Sequence, residues 1–148
     1  MRILTHPDPA LRQVCAALTG AAGHLPDDML RAMYAAPGRG LAAPQVGVLR
    51  RLFGMDATWK EGAPAPEVCI NPELVWTSAE TIAMEEACLS VPGRPRTLRR
   101  PARVRMVWTD AQGNRAEHAL EGARARIAQH ELDHLDGVLI LDHSEDKG

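Results

Sequence analysis

The chain has 148 residues, of which 45% are hydrophobic and 24% charged, and this composition indicates a folded protein with its own core rather than a disordered chain. Its formal net charge of −2 excludes a strong overall attraction to nucleic acid or to an anionic membrane. The sequence shows no secretory signal and no apolar stretch as long as a membrane span, so we expect a cytoplasmic protein with no membrane partner and a single domain over residues 1–148.

The first part of the chain predicts two helices. Turn residues precede a short predicted helix over residues 10–18. Residues 25–27 (Leu-Pro-Asp) open a second helix, because proline and acidic residues are favoured in a first helical turn. Met29 and Met33 follow at helical spacing, so we expect them to pack in the core. The proline and glycines of residues 37–40 end this helix.

The remaining segments are mainly predicted strands. Residues 49–55 and 68–74 are short apolar runs separated by a polar loop. Residues 103–108 alternate apolar and polar side chains, and a turn leads to residues 115–120 as a hairpin partner. Residues 138–141 supply a final strand. Helices with mainly antiparallel strands, and no alternation of parallel strands with helices, predict an α+β fold.

The predicted helix over residues 123–135 carries the strongest chemical signal of the sequence. His130 and His134 are four residues apart, so both imidazoles lie on one face of the helix and can bind one metal ion. Glu131 lies beside that face, within reach of a water molecule at the ion. Ala123, Ile127 and Ala128 are apolar and are expected to turn this face toward the core. A surface helix that happens to carry two histidines is the alternative.

A catalytic metal site of this kind needs a third protein ligand, and the spacing alone leaves its identity open. Cys88 lies upstream in an acidic, turn-rich segment, but a lone cysteine is more often an inert buried side chain. His143 and Glu145 follow the helix, and a ligand there would indicate a zincin-like peptidase. The odd number of cysteines suits a reducing compartment, in which a thiolate can serve as a ligand.

Basic residues are concentrated between positions 94 and 105, and a solvated face of strand and loop accounts for them without a nucleic-acid-binding motif. They are Arg94, Arg96, Arg99, Arg100, Arg103 and Arg105.

Three separated segments resemble the signature motifs of the peptide deformylase family. Residues 40–45 (Gly-Leu-Ala-Ala-Pro-Gln) match the family's Gly-Leu-Ala-Ala-x-Gln loop, and residues 86–90 (Glu-Ala-Cys-Leu-Ser) resemble its Glu-Gly-Cys-Leu-Ser segment. Residues 129–135 (Gln-His-Glu-Leu-Asp-His-Leu) resemble its histidine helix. Residues 6–12 and 70–72 also look like the family's, so the resemblance covers nearly the whole chain and implies mainly antiparallel strands around a central metal-binding helix.

The resemblance implies a metal centre and a reaction. Cys88, His130 and His134 would bind one divalent ion, natively Fe²⁺, although Zn²⁺ or another divalent ion can also occupy such sites. The reaction would be hydrolysis of an N-formyl amide to formate and a free amino terminus, with Glu131 carrying protons. The Gln45 side-chain amide and the Leu89 backbone N–H would stabilise the oxyanion.

The resemblance also implies the substrate site and the partners. Arg39, Gly40, Met84 and Ala123 would line the pocket for formyl-methionine peptides or nascent chains, with transient association with the ribosome. Arg39 and Ala123 depart from the apolar residues common in the family, and Ala87 replaces a glycine. With Arg39 in the pocket, we expect the preference for the methionine side chain of the substrate to be weakened or redirected. If Arg39 instead turns outward, the pocket keeps the ordinary preference for formyl-methionine. A deformylase-like protein that binds without turnover and a zincin-like peptidase remain the alternatives.

Overall fold

The computed structural model describes residues 1–146. Its two α-helices are α1 (Leu25–Ala35) and α2 (Gly122–Leu135). The described part contains seven strands: β1 (Gly40–Ala42), β2 (Leu52–Met55), β3 (Glu67–Thr77), β4 (Thr81–Cys88), β5 (Val91–Pro101), β6 (Arg103–Thr109) and β7 (Arg115–Glu121). None of its helices is long and apolar enough to cross a membrane.

Five of the strands form one antiparallel sheet in the order β1-β2-β3-β6-β7. Helix α2 packs against β1, β2, β6 and β7, and the core between them includes Phe53, Met106, Trp108 and Leu135. Gly122 has a φ of 60°, which lets β7 turn directly into α2 without a connecting loop. The sheet therefore fixes the helix that carries both histidines, and the predicted α+β class with mainly antiparallel strands is confirmed.

Strands β4 and β5 form a separate hairpin that the sequence analysis did not predict. Their turn lies at Leu89 and Ser90, beside the end of β4. Leu98 of β5 is buried with Leu11, Val91 and Ile140 in a second apolar cluster. This hairpin brings Cys88 against the helix from a distant part of the sequence.

Most of the predicted elements are present. Helix α1 begins at the predicted Leu-Pro-Asp segment, and its Met29 and Met33 are buried as expected. The hairpin predicted over residues 103–120 is formed by β6 and β7. The strand predicted from residue 49 starts only at Leu52, and the next one continues to Thr77.

Two predicted elements are wrong because tertiary contacts replace them. Residues 10–18 form only a 3-10 turn, Pro9–Arg12; beyond it the Cys15 N–H donates to the Leu135 carbonyl at 2.8 Å, and the Leu18 N–H donates to Asn71 Oδ1 at 2.8 Å. Residues 138–141 are not a strand either. Here the Asp142 carboxylate accepts from the Leu139 N–H and closes another 3-10 turn.

The basic stretch is only partly the solvated face that the sequence predicted. Arg94, Arg103 and Arg105 are exposed, and Arg105 pairs with Glu117 on β7. Arg100 is instead buried beside the histidine helix. Its burial follows from a carboxylate partner on the neighbouring strand, which the spacing of the arginines alone does not reveal.

Candidate metal centre

Cys88, His130 and His134 lie together in the folded chain. The side chains are buried, and one potential ligand atom from each lies within 4.8 Å of the others. Cys88 Sγ is 3.3 Å from His134 Nε2. The pairing of β4 with β5 brings the cysteine to the helix, whereas the two histidines meet through their spacing along α2. The structure thus brings together all three predicted ligands.

Two observations fit a metal ion among these groups. Burial lowers the pKa of His134 to about 3, so its ring is neutral and carries a lone pair. His130 Nδ1 lies 2.9 Å from Glu86 Oε1, an arrangement in which Nδ1 donates to the carboxylate and Nε2 is left for an ion. A thiolate with two imidazoles is also a donor set suited to a first-row divalent metal.

Glu86 lies at this centre beside His130, and the sequence analysis did not assign it. Its buried carboxylate accepts from Arg100 Nε at 2.5 Å and from Arg126 Nη1 at 2.8 Å, in addition to His130. Burial raises the pKa of Glu86, but these hydrogen bonds outweigh it and hold the pKa well below its usual range. Glu86 precedes Cys88 by two residues, so a prediction of β4 as a strand could have placed both side chains on one face.

Glu131 lies next to the three predicted ligands. Its Oε2 is 4.0 Å from His130 Nε2, and its buried Oε1 has no hydrogen-bond partner within the described residues. Burial raises the pKa of this carboxyl to about 7. A carboxyl group with that pKa can both accept and return a proton near neutral pH.

Gln45 approaches the centre from the loop after β1. Its Nε2 donates to Ser90 Oγ at 3.0 Å and lies 3.8 Å from Cys88 Sγ. Leu89, the other residue predicted to stabilise an oxyanion, occupies the β4–β5 turn and lines the same cleft. One predicted donor therefore lies near the cysteine thiol, and the other follows the cysteine directly in the chain.

A cleft of about 460 Å³ leads to the centre. The four predicted substrate-binding residues, Arg39, Gly40, Met84 and Ala123, all line it. Ala123 is exposed there, which corrects the expectation that it faces the core; Ala128 is buried as expected. Ala87 also lines the cleft, and its φ lies outside the left-handed region, so alanine replaces the expected glycine without backbone strain.

The Arg39 guanidinium points toward the loop of residues 57–61. It makes two hydrogen bonds to the Glu61 carboxylate, at 3.0 and 2.9 Å, and one to the Ala57 carbonyl at 2.6 Å. In the same loop, Trp59 Nε1 donates to the Gly38 carbonyl at 2.9 Å. Arg39 therefore fastens this loop beside the cleft, and its charge is neutralised by Glu61.

A buried cluster of one cysteine and two histidines beside a buried glutamate is typical of a metal-dependent hydrolase. The sequence model of one family, polypeptide deformylase, matches residues 1–148. The chain therefore belongs to the polypeptide deformylase family. It is accordingly an enzyme that removes the formyl group from N-terminal formyl-methionine peptides. The zincin-like and non-catalytic alternatives are not favoured by this assignment.

Individual relatives are similar to this chain over nearly its whole length. The peptide deformylase of Phenylobacterium zucineum is 45% identical over 144 residues, which are 95% of this chain and 85% of that protein. The crystal structure of peptide deformylase from Thermotoga maritima superposes with a TM-score of 0.90 at 38% identity, covering 98% of this chain and 97% of that one. A probable peptide deformylase from Synechococcus phage S-SSM7 gives 0.92 at 36% identity, covering 97% and 99%.

Gly40 is expected to be essential for the position of Glu131. A Cβ at residue 40 would lie 2.5 Å from Glu131 Oε2 and 2.8 Å from Ile127 Cγ2. We therefore expect Gly40→Ala to lower kcat by about 100-fold, the scale of a misplacement of about 1 Å in a catalytic group. Gly54→Ala is the matched control, because its methyl would crowd only the flexible end of Leu30, at 2.9 Å, and would lie at an ordinary 3.8 Å from the Glu67 carbonyl. Equal kcat values for the two variants would contradict this explanation.

Glu86→Gln is expected to weaken metal binding or activity by about 10- to 100-fold, as is typical for partners of metal ligands. The substitution keeps the shape of the side chain but leaves Arg100 and Arg126 without the buried anion between them. Metal affinity measured by chelator competition checks this effect. Glu117→Gln, which breaks only the exposed pair with Arg105, should leave affinity unchanged. Unaltered metal affinity and kcat in Glu86→Gln would be inconsistent with a positioning role.

Proposed function

We propose that the deformylase reaction takes place at a single ion held by Cys88, His130 and His134. The observation that carries this proposal is the convergence of the three potential ligand atoms within 4.8 Å. Beside them lies a buried carboxylate oxygen of Glu131 that has no partner within the described residues. One thiolate and two imidazoles leave a fourth tetrahedral position open, as catalytic sites require.

The ion proposed for this site is Fe²⁺, with Zn²⁺ or another divalent metal as a substitute. The choice of iron rests on the family, because a ligand set of one thiolate and two imidazoles also suits zinc. When bound, the metal supplies Lewis-acid chemistry: it polarises a carbonyl and increases the acidity of water.

Glu131 is proposed to be the proton carrier. Its carboxylate takes a proton from the attacking water and delivers one to the nitrogen of the breaking formyl amide, which releases formate and a free amino terminus. The pKa of about 7 matches this double role. Gln45 Nε2 and the Leu89 backbone N–H donate to the formyl oxygen as it gains negative charge.

The walls of the cleft are proposed to bind the formylated residue. Met84 and Ala123 offer apolar contacts for a methionine side chain, and Gly40 allows the peptide backbone to approach closely. The pairing of Arg39 with Glu61 supports an ordinary preference for formyl-methionine over a redirected one. The proposed substrates are nascent chains met by a single catalytic domain in the cytoplasm, with transient association with the ribosome.

Anaerobic assays of formate release from formyl-Met, formyl-Leu and formyl-Asp peptides test this proposal. Protein loaded with Fe²⁺ is compared with protein loaded with Zn²⁺, and oxygen is excluded because an iron–thiolate site is open to oxidation. We expect the highest kcat/KM with formyl-Met and Fe²⁺. A preference for formyl-Asp would indicate that Arg39 leaves Glu61 to bind substrate, and higher activity with Zn²⁺ would overturn the choice of iron.

A further inference from the structure

The orientation of the Gln45 amide is fixed by two hydrogen bonds. Its Oε1 lies 2.9 Å from the Ala42 N–H, and because a backbone N–H can only donate, this end must be the oxygen. The Nε2 end then donates one hydrogen to Ser90 Oγ at 3.0 Å. Gln45 and Ser90 are both buried, so water does not compete for these bonds. The second Nε2 hydrogen is left on the side of Cys88.

The N-terminal segment ties the same two residues together through the backbone. The Leu4 N–H donates to the Gln45 carbonyl at 2.7 Å, and the His6 N–H donates to the Ser90 carbonyl at 2.7 Å. Thr5 lies exposed between them. We call residues 4–6 the strap, because they join the Gln45 loop to the β4–β5 turn.

We infer that Ser90 and the strap form a positioning clamp that fixes Gln45 relative to Leu89. The inference rests on the function proposed above, in which Gln45 and Leu89 donate to the same developing oxyanion. Leu89 precedes Ser90 directly, whereas Gln45 belongs to a distant loop, so the spacing of the two donors depends on these links. Such donors act only when held within about 0.5 Å of the productive geometry. Ser90 therefore acts through Gln45 and does not touch the substrate.

A double-mutant cycle of Ser90→Ala and Gln45→Ala tests the clamp in the iron-loaded enzyme. We expect Ser90→Ala to lower kcat by about 10-fold at nearly unchanged KM, less than the 10²- to 10³-fold loss typical of removing an oxyanion donor outright. In the Gln45→Ala background the same substitution should have no further effect. Iron content and Tm are measured for every variant, and both should stay close to those of the unaltered protein.

Leu4→Pro provides a second variant that leaves the buried serine in place. It removes the N–H that binds the Gln45 carbonyl, while Arg2→Pro places the same ring at an exposed residue outside the strap. We expect only Leu4→Pro to lower kcat, and again only when Gln45 is present. If Ser90→Ala lowers Tm or iron content, the double-mutant cycle of Leu4→Pro with Gln45→Ala replaces it as the test of the clamp.

Equal losses in both backgrounds would overturn the inference, because Ser90 and the strap would then act by packing alone. Failure of the proposed function would look different. In that case the unaltered iron-loaded protein would release no formate, or Gln45→Ala would retain full activity.

Discussion

Glu131→Gln is expected to lower formate release by about 10²- to 10⁴-fold, the usual contribution of a positioned acid or base. The amide keeps the size of the side chain but cannot accept the proton of the attacking water. Because Glu131 is not one of the three proposed ligands, iron should remain bound at the level of the unaltered protein. Single-turnover kinetics with a formyl-Met peptide, combined with iron analysis, measures both quantities.

Glu80→Gln is the control for this substitution, since it changes an exposed glutamate at the start of the β4–β5 hairpin. It should leave both the rate and the iron content unaltered. A Glu131→Gln enzyme that kept more than a tenth of the activity would show that another group carries the protons.

Cys88→Ala is expected to abolish activity by a different route, the loss of the metal. Removing a ligand should weaken iron binding by more than the roughly 10- to 100-fold that loss of a ligand's hydrogen-bond partner causes. Cys15→Ala and Cys69→Ala remove the other two buried cysteines and should leave iron content intact. Iron analysis after gel filtration separates the three variants.

Retention of iron by Cys88→Ala would have a specific meaning. The two histidines would then hold the ion with some other ligand, as in the zincin-like arrangement that the sequence left open. Loss of iron without loss of the fold, checked by circular dichroism, is the result expected for a Cys–His–His centre.

Sequence patterns predicted four strands of the main sheet and the helix α2 that packs on it, but not the short strand β1. Helix α2 and the β6–β7 hairpin have regular apolar patterns because one face of each packs on the core. The β4–β5 hairpin was missed because neither strand alternates apolar and polar residues regularly and because Pro92 and Pro95 lie in β5. The ion pairs of Glu86 with Arg126 and of Arg100 with Asp133 hold it to α2. They join residues that are 40 and 33 positions apart and therefore leave no short-range signal.

The sequence predicted the main residues of the site but not the contacts that position them. The histidine spacing indicated a metal, and the family motifs added Cys88, Gln45 and Leu89. Neither pattern showed that Glu86 binds His130 or that the strap reaches Gln45, because those contacts join segments that are distant in sequence. Arg39 looked like a charge in the substrate pocket until its pairing with Glu61 was known. Contacts of this kind depend on the fold rather than on local spacing.

Anaerobic titration of the metal-free protein with Fe²⁺, with formate release from a formyl-Met peptide measured at each addition, tests the central claim most directly. Three ligand groups converge on one position in the described chain, so activity should rise linearly and reach a plateau at one iron per chain. Full activity before any iron is added, or a plateau at two irons per chain, would contradict a single catalytic ion held by Cys88, His130 and His134.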